Sequence, residues 1–175
     1  MREKVAWAPG TPKVQRMAKP TPDLLRGIPL FAALTRPQLE TIAAALTERD
    51  VPAGTTLVQE GTPLDEFHVL VKGVVEFRRR SRRGHDAPLE TRRPGDWWGE
   101  VALAIEGPAE ATVTAAKDCT LLVMPRAAWE QLLFVNRDLA YTLLWSLVRR
   151  MAEHLRKARA RIADLERRKT MRPED

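Results

Sequence analysis

Residues 94–103 read Pro-Gly-Asp-Trp-Trp-Gly-Glu-Val-Ala-Leu, and this stretch decides how the chain folds. It begins with a turn at Pro94-Gly95, continues through a short apolar segment, and turns again at Gly99. Earlier short runs of Val, Phe and Thr also end at glycines, namely Gly54, Gly61 and Gly73. Because glycine adopts positive φ at little steric cost, short strands that end at glycines indicate tight turns. The pattern favours an antiparallel roll or sandwich.

Strand and helix patterns occupy separate parts of the sequence. Strand-like segments cover residues 51–58, 67–77, 88–93 and 111–124, and helical spacing covers residues 24–34, 35–47, 127–134 and 138 to beyond 165. Asp23 and Thr35 precede the first two helical segments and are their candidate N-caps. The sequence therefore predicts short helices before a β-rich centre and a long helix after it.

The glycine turns follow one another in a particular order. They are Pro-Ala-Gly at 52–54, Glu-Gly at 60–61, Lys-Gly-Val at 72–74, and Pro-Gly-Asp at 94–96 before Trp-Trp-Gly-Glu-Val-Ala-Leu. In this order the motifs resemble the cyclic-nucleotide-binding domain family, over about residues 24–160. The resemblance implies a mainly β fold with flanking helices: an antiparallel β-roll, of the double-stranded β-helix or jelly-roll type, with N-terminal helices and a long C-terminal helix.

This organisation divides the chain into three segments. Residues 1–22 contain four prolines and little hydrophobic periodicity, so we expect a flexible leader. Residues 23–148 would form the β-roll with its flanking helices, and residues 149–175 a charged C-terminal helix and tail. Since 175 residues suit one domain of ordinary size, a single domain core is expected.

The resemblance also implies a ligand pocket. In the family, a helical turn after the sixth strand presents backbone N–H groups to a cyclic phosphate. The matching residues here are Gly99, Glu100, Val101, Ala102 and Leu103. Glu100 matches the glutamate that accepts hydrogen bonds from the ribose hydroxyl. The pocket pattern ends with Ala109, Glu110, Ala111 and Thr112, where Ala109 takes the place of the family's phosphate-binding arginine.

Ala109 changes what this pocket is expected to bind. A guanidinium group grips phosphate oxygens bidentately, and neither Ala109 nor Glu110 can do so. One interpretation is therefore a roll that has lost its nucleotide and acts as a non-catalytic regulatory or adaptor protein. The alternative is a sensor that binds cyclic AMP, cyclic GMP or another small anion and relays binding through the C-terminal helix to a partner. In that case another arginine must meet the phosphate, such as Arg92, Arg149 or Arg150.

Two neighbouring features have structural as well as functional interpretations. Glu100 is favoured at a helix start by the helix dipole even without a ligand. Trp97 and Trp98 are adjacent in a strand, so one indole is expected in the core and the other at the surface, as a candidate contact.

Positive charge is concentrated at the two ends of the chain and in one hairpin. The net charge is +6, yet the central part of the chain is slightly acidic. Seven arginines nevertheless lie between Arg78 and Arg93. They would either contact an anionic partner or form a solvated hairpin tip.

Along the last helix, apolar residues recur three or four apart, as in a coiled coil. They are Leu144, Leu147, Met151, Leu155, Ala158, Ile162 and Leu165. We therefore predict a homodimer through this helix, as in family members that regulate transcription; alternatively, its first half packs on its own roll and its end frays. About ten residues follow Leu165, too few for a helix-turn-helix, so sequence-specific DNA binding is not expected.

Catalysis and membrane insertion are not expected from this sequence. His68, His85 and His154 are scattered, and Cys119 is the only cysteine, so neither a metal cluster nor a disulfide is predicted. The longest uncharged apolar stretch, residues 139–148, is half as long as the roughly 20 residues of a membrane span. We expect a cytoplasmic, non-enzymatic protein that acts through a protein partner.

Overall fold

The computed structural model describes residues 15–80, 86–100 and 107–170. Its described strands are β1 (Gln15–Ala18), β2 (Thr47–Val51), β3 (Thr56–Val58), β4 (Glu66–Lys72), β5 (Val75–Arg80), β6 (Asp86–Arg92), β7 (Trp97–Trp98), β8 (Thr112–Ala115) and β9 (Cys119–Pro125). Its described helices are α1 (Pro22–Arg26), α2 (Arg36–Ala45), α3 (Arg126–Val135) and α4 (Arg137–Thr170). Predictions for Val101, Ala102, Leu103 and His85 lie outside the described residues.

The strands form two antiparallel sheets. One sheet has the strand order β1-β2-β9-β4-β7, and the other has the order β3-β8-β5-β6. β5 and β6 pair as the arms of the arginine hairpin, from Val75 opposite Arg92 to Arg80 opposite Asp86. Helices α1 and α2 lie between β1 and β2, and α3 and α4 follow β9. The predicted antiparallel β-roll with flanking helices and a long last helix is thus confirmed.

The strands β4, β7 and β9 of the five-stranded sheet are largely buried on both faces. On one face, Phe67 and Met124 pack against the helices. On the other face, Leu70 and Val123 pack against the four-stranded sheet. Successive side chains of a strand point to opposite faces, so a strand covered on both sides is apolar throughout. This explains why β9 reads Thr-Leu-Leu-Val-Met without alternation.

Residues 15–22 are part of the fold, in contrast to the flexible leader predicted over residues 1–22, while residues 1–14 lie outside the described part of the chain. β1 pairs antiparallel with β2, and Pro20 is buried. The Lys19 ammonium donates hydrogen bonds to the carbonyl oxygens of Ala44 and Leu46, the latter at 3.0 Å. These carbonyls lie at the end of α2, where the helix has no further N–H groups to offer them. A four-residue strand is too short to produce a visible sequence period, which is why the pattern missed it.

The first two helices begin close to their predicted caps. Thr35 precedes α2 as predicted, and its backbone N–H donates to Gln38 Oε1 at 2.9 Å. For α1 the cap is Thr21 rather than Asp23, because Thr21 Oγ1 accepts a hydrogen bond from the Leu24 N–H at 3.2 Å. The proline that follows Thr21 suits the first helical position, so the helix begins before the predicted residue.

Candidate functional site

The end of β7 is fixed by a glycine that no other residue can replace without strain. Gly99 has φ +90°, and a Cβ built on it would lie 2.4 Å from the Glu66 carbonyl oxygen and 3.3 Å from Phe67 Cα. The chain therefore passes directly over the start of β4 at this point. Glu100 follows in helical conformation. Gly99, the first residue of the predicted ligand-binding turn, thus lies against the five-stranded sheet.

A cavity of about 470 Å³ opens beside this turn. Its volume lies within the roughly 300–1,000 Å³ of ordinary small-molecule sites. The lining residues that were predicted as site residues are Gly99, Glu100, Ala109, Glu110 and Ala111. The other lining residues are Val58, Leu64, Phe77, Leu89, Glu90, Arg92, Trp98, Gly107, Pro108 and Val113. The structure therefore brings both described parts of the predicted pocket to one place.

Ala109 is buried and held in place by its backbone. Its N–H donates to the Thr62 carbonyl at 2.8 Å, and its carbonyl accepts from the Gly61 N–H at 2.8 Å. Only 7% of Ala109 is exposed, whereas Glu110 beside it is exposed. A side chain at position 109 faces the cavity from a rigid backbone, and here that side chain is a methyl group.

Thr112, the last of the predicted site residues, does not line this cavity. Its Oγ1 accepts hydrogen bonds from the Glu60 N–H at 3.1 Å and from Gln59 Nε2 at 3.3 Å. It is the first residue of β8, where alternation directs it away from Ala111 and Val113. Its position is explained by strand pairing.

Among the described lining residues, one is an arginine, Arg92, and its guanidinium already forms an ion pair. Nε and Nη2 of Arg92 donate to Glu90 Oε1 at 3.1 and 2.7 Å. The Arg92 Cζ atom also lies 5.7 Å from the centre of the Phe77 ring. Neither Arg149 nor Arg150, the other candidate substitutes, lines the cavity. The cavity therefore offers a neutralised arginine in place of a free one.

Both tryptophans of β7 are buried, with 2% and 4% of Trp97 and Trp98 exposed, so the prediction of one surface indole is wrong. They do point to opposite faces, as alternation requires, but each face of the sheet is covered. Trp97 joins the core beneath the helices, while Trp98 lines the cavity and meets the Phe77 ring edge-on at 5.9 Å. Trp98 is a wall of the cavity and not an outer contact surface.

A buried ion-pair network lies behind Trp98. The His68 ring stacks on the Trp98 indole with centroids 4.9 Å apart, and His68 Nε2 lies 3.4 Å from Glu66 Oε2. Arg49 donates to both Glu66 oxygens, at 2.9 and 3.1 Å. Burial alone would raise the pKa of Glu66, but hydrogen bonds and charge from His68 and Arg49 overcome it and hold that pKa at about 2. Glu66 is therefore an ionised structural carboxylate beneath the cavity.

Helix α4 carries two apolar faces. Leu139, Leu143 and Leu147 are buried in the core of the same chain. Leu147 was predicted in the coiled-coil seam, and its burial in the roll corrects that prediction; Val148, with 54% exposure, takes its place. The exposed heptad face then follows a 3-4 spacing throughout: Tyr141, Leu144, Val148, Met151, Leu155, Ala158, Ile162 and Leu165. The alternative prediction was that the first half of this helix packs on its own roll. That prediction holds for the face that carries Leu139, Leu143 and Leu147.

The next turn of α4 packs against the other side of β7. The Arg150 guanidinium carbon lies 5.2 Å from the centre of the Trp97 ring, and the His154 ring is 6.0 Å from it. The helix that bears the exposed heptad face therefore contacts the strand that bounds the cavity.

The arms of the arginine hairpin hold two ion pairs of their own. Arg78 Nη1 lies 3.7 Å from Glu76 Oε2, and Arg92 Nη2 lies 2.7 Å from Glu90 Oε1. Residues 81–85 lie outside the described part of the chain. Contact between this hairpin and an anionic partner stays a prediction.

Within the described ranges, no three His, Cys, Asp or Glu side chains come together as a metal site. Burial raises the pKa of the Cys119 thiol, which hydrogen-bonds to the carbonyls of Val74 and Lys117. A thiol of this kind is a poor nucleophile. Among the described helices, none combines the length and apolar composition that crossing a bilayer requires.

Comparison with known proteins agrees with this geometry. The cyclic nucleotide-binding domain family matches residues 48–136. A cAMP-dependent protein kinase regulatory subunit from Aspergillus fumigatus is 34% identical over 115 residues, which are 66% of this chain and 27% of the relative. A CRP-like cAMP-activated global transcriptional regulator from Mycobacterium tuberculosis is 30% identical over 126 residues, which are 70% of this chain and 54% of the relative.

Among solved structures, the N-terminal domain of a transcriptional regulator from Streptomyces coelicolor is similar at a TM-score of 0.67. It is 33% identical, and the match covers 78% of this chain and 95% of that one. Fold, cavity and sequence match together define a β-roll of the cyclic-nucleotide-binding type. The chain belongs to the cyclic nucleotide-binding domain family, and it spans about a quarter to a half of the length of the curated relatives described above.

Proposed function

We propose that this chain is a non-catalytic regulatory module whose cavity does not hold the phosphate of cyclic AMP or cyclic GMP. The observation that carries the proposal is Ala109, a buried methyl group on the cavity wall, at the position where the family resemblance implies an arginine. Glu110 adds a carboxylate to the same wall, and Arg92 is paired with Glu90. An anion entering this cavity would meet carboxylates and, among the described lining residues, no free guanidinium.

The expected loss of affinity is large. A hydrogen bond to a charged group contributes about 1.5–3 kcal/mol, and a bidentate arginine makes two. At 1.4 kcal/mol per factor of ten, losing the pair weakens binding by about two to four orders of magnitude. Repulsion from Glu110 acts in the same direction. Cyclic AMP at micromolar concentration would then leave the cavity largely empty.

The test is isothermal titration calorimetry with cyclic AMP and cyclic GMP, at low and physiological salt. The native chain is compared with an Ala109→Arg, Glu110→Ala double variant. Ala87→Arg is the matched control, because it adds an arginine to an exposed position of β6 outside the cavity lining. We expect heat of binding from the double variant alone. Tight binding by the native chain would refute the proposal.

A second candidate function is a genuine cyclic-nucleotide sensor. It is favoured by Arg92, which lines the cavity and can exchange Glu90 for a phosphate. This function predicts native binding that Arg92→Gln abolishes and that Arg79→Gln, an exposed control on the neighbouring strand, leaves unchanged.

The proposed module is a homodimer joined through the heptad face of α4. Heptad positions a carry Tyr, Val, Leu and Ile, and positions d carry Leu, Met, Ala and Leu. This distribution suits a coiled coil of two parallel helices. In that arrangement Arg161 at g is opposite Glu166 at e of the second copy. These residues support the dimer. In the proposed assembly, the dimer presents its two cavities to a cytoplasmic protein partner.

Sedimentation velocity tests this assembly. Native protein should sediment as a dimer, and Val148→Glu, Leu155→Glu should sediment as a monomer with unchanged helical circular dichroism. Ala160→Glu is the control, because it places the same charge on an exposed outer position of the same helix. A native chain that is monomeric at about 100 μM would contradict the dimer.

A further inference from the structure

The charged groups on the cavity wall do not balance. Four described lining residues are charged: Glu90, Arg92, Glu100 and Glu110. Glu90 and Arg92 neutralise each other through two hydrogen bonds. Glu100 is half-buried and Glu110 exposed, and neither carboxylate forms an ion pair with a described residue. Among the described residues, Glu100 and Glu110 therefore bring two negative charges to one cavity without an ion-pair partner.

Such carboxylates limit the chemistry of an occupant. An ionised carboxylate only accepts hydrogen bonds, so a ligand beside Glu100 and Glu110 must supply donors. Because apolar walls lower the local dielectric, the charge of the ligand matters more here than in open water. An anion is repelled, a neutral donor is accepted, and a cation is attracted.

The apolar lining of the cavity suits a flat apolar body. Trp98, Phe77, Leu64 and Val58 belong to it, together with alanine methyl groups. One cation of the protein already occupies such a setting at the cavity wall. The Arg92 guanidinium carbon lies 5.7 Å from the centre of the Phe77 ring, and the guanidinium forms an ion pair with Glu90. Aromatic faces attract cations by their quadrupole, and carboxylates by charge-assisted hydrogen bonds.

We infer that the cavity takes a small organic cation, an ammonium or amidinium group on a flat apolar body, with its charge at Glu100 and Glu110. This inference rests on the proposed function, because a cavity that gripped phosphate would not select a cation. The positive group lies between the two carboxylates, and the body lies against Trp98 and Phe77. Occupancy would then report a cationic metabolite in place of a cyclic nucleotide.

Three probes of one shape test the sign of the selectivity. Benzamidine is a cation at pH 7, benzamide is neutral, and benzoate is an anion, on the same phenyl ring. Each is titrated at millimolar concentration into ¹⁵N-labelled full chain. We expect benzamidine to bind most tightly and benzoate not at all, with amide shifts centred on Gly99, Gly107 and Ala111, which line the cavity.

Matched variants then assign the effect to the two carboxylates. Glu100→Gln and Glu110→Gln should each weaken benzamidine binding by about 3- to 10-fold, as loss of a partly exposed charge pair implies, and should leave benzamide unchanged. Glu76→Gln, half-exposed on β5 and outside the lining, should change neither. Equal binding of the three probes, or shifts confined to other surfaces, would overturn the inference.

The same samples separate failure of the inference from failure of the proposed function. If the native chain binds no benzamidine while the Ala109→Arg, Glu110→Ala variant gains cyclic AMP, the cation inference falls and the proposed function stands. If the native chain binds cyclic AMP tightly, both fall. If the native chain binds benzamidine and does not bind cyclic AMP, both the inference and the proposed function are supported.

Discussion

Replacing Glu66 by glutamine should destabilise the roll and remove part of its sensitivity to acid. Glu66 is 6% exposed, accepts two hydrogen bonds from Arg49, and lies against His68 beneath the cavity wall. Its pKa is about 2, against an ordinary value of 4.5. A glutamine of the same size keeps the packing but leaves the Arg49 guanidinium without its carboxylate.

The magnitude follows from that pKa. A fall from 4.5 to about 2 corresponds to about 3 kcal/mol, at 1.36 kcal/mol for each pH unit. Because the folded state has the lower pKa, it favours the charged carboxylate. The stabilisation is therefore complete above pH 4.5 and is lost as pH falls towards 2. We expect Glu66→Gln to cost about 3 kcal/mol at pH 7 and less than 1 kcal/mol near pH 2.

Urea unfolding followed by tryptophan fluorescence, at one protein concentration and several pH values, measures this difference. Glu130→Gln is the control: Glu130 accepts a hydrogen bond from Arg126 at 2.8 Å, but its side chain is 57% exposed. That substitution should cost no more than about 1 kcal/mol. A Glu66→Gln cost that is independent of pH, or no larger than the control's, would refute the assigned role of the network.

Two further pairs of substitutions test the fold around the cavity and along α4. Gly99→Ala should lower the free energy of unfolding by more than about 2 kcal/mol in thermal unfolding, because its Cβ would meet a backbone oxygen. Gly61→Ala has φ +83° and open space around the new Cβ, so it should lower that free energy by only about 1–2 kcal/mol, the cost of a left-handed conformation. Leu143→Ala, in the core, should cost about 2–5 kcal/mol in the folded protomer, whereas Leu144→Ala should mainly weaken dimerisation, as sedimentation would record. Equal costs within either pair would contradict the placement.

The architecture was predictable because its signals are local. Each glycine turn and each short strand is written within a few consecutive residues, and the switch to helical spacing marks where the roll ends. The assignment of faces was less predictable. Leu147 and Val148 are equally apolar neighbours, and only the packing of α4 on the sheet decides which one is buried. The burial of Trp97 and Trp98 together likewise depends on both sheet faces being covered.

The candidate site was predictable where it is continuous in sequence. Ala109 and Glu110 follow Glu100 closely, so one motif identifies them. The walls come from other strands, such as Val58 of β3 and Phe77 of β5, which only the sheet topology brings together. One signal for the buried network existed in the sequence: Glu66 and His68 alternate at the start of β4, before the apolar run of residues 69–71. Their partner on β2 could not be predicted, because β9 lies between the two strands.

The two tryptophans of β7 connect the candidate cavity to the candidate dimer helix. Trp98 lines the cavity, and its neighbour Trp97 packs beneath Arg150 and His154 of α4. The two indoles extend to opposite faces of one short strand, so a ligand that shifts the backbone of β7 would move both of them. A ligand shifts such an equilibrium only by the difference in its affinity for the two positions. Trp97→Leu removes the ring contacts with Arg150 and His154 but leaves the cavity lining unchanged. It should therefore abolish the effect of ligand binding on dimer affinity. In the monomeric Val148→Glu, Leu155→Glu background, it should leave ligand affinity unchanged.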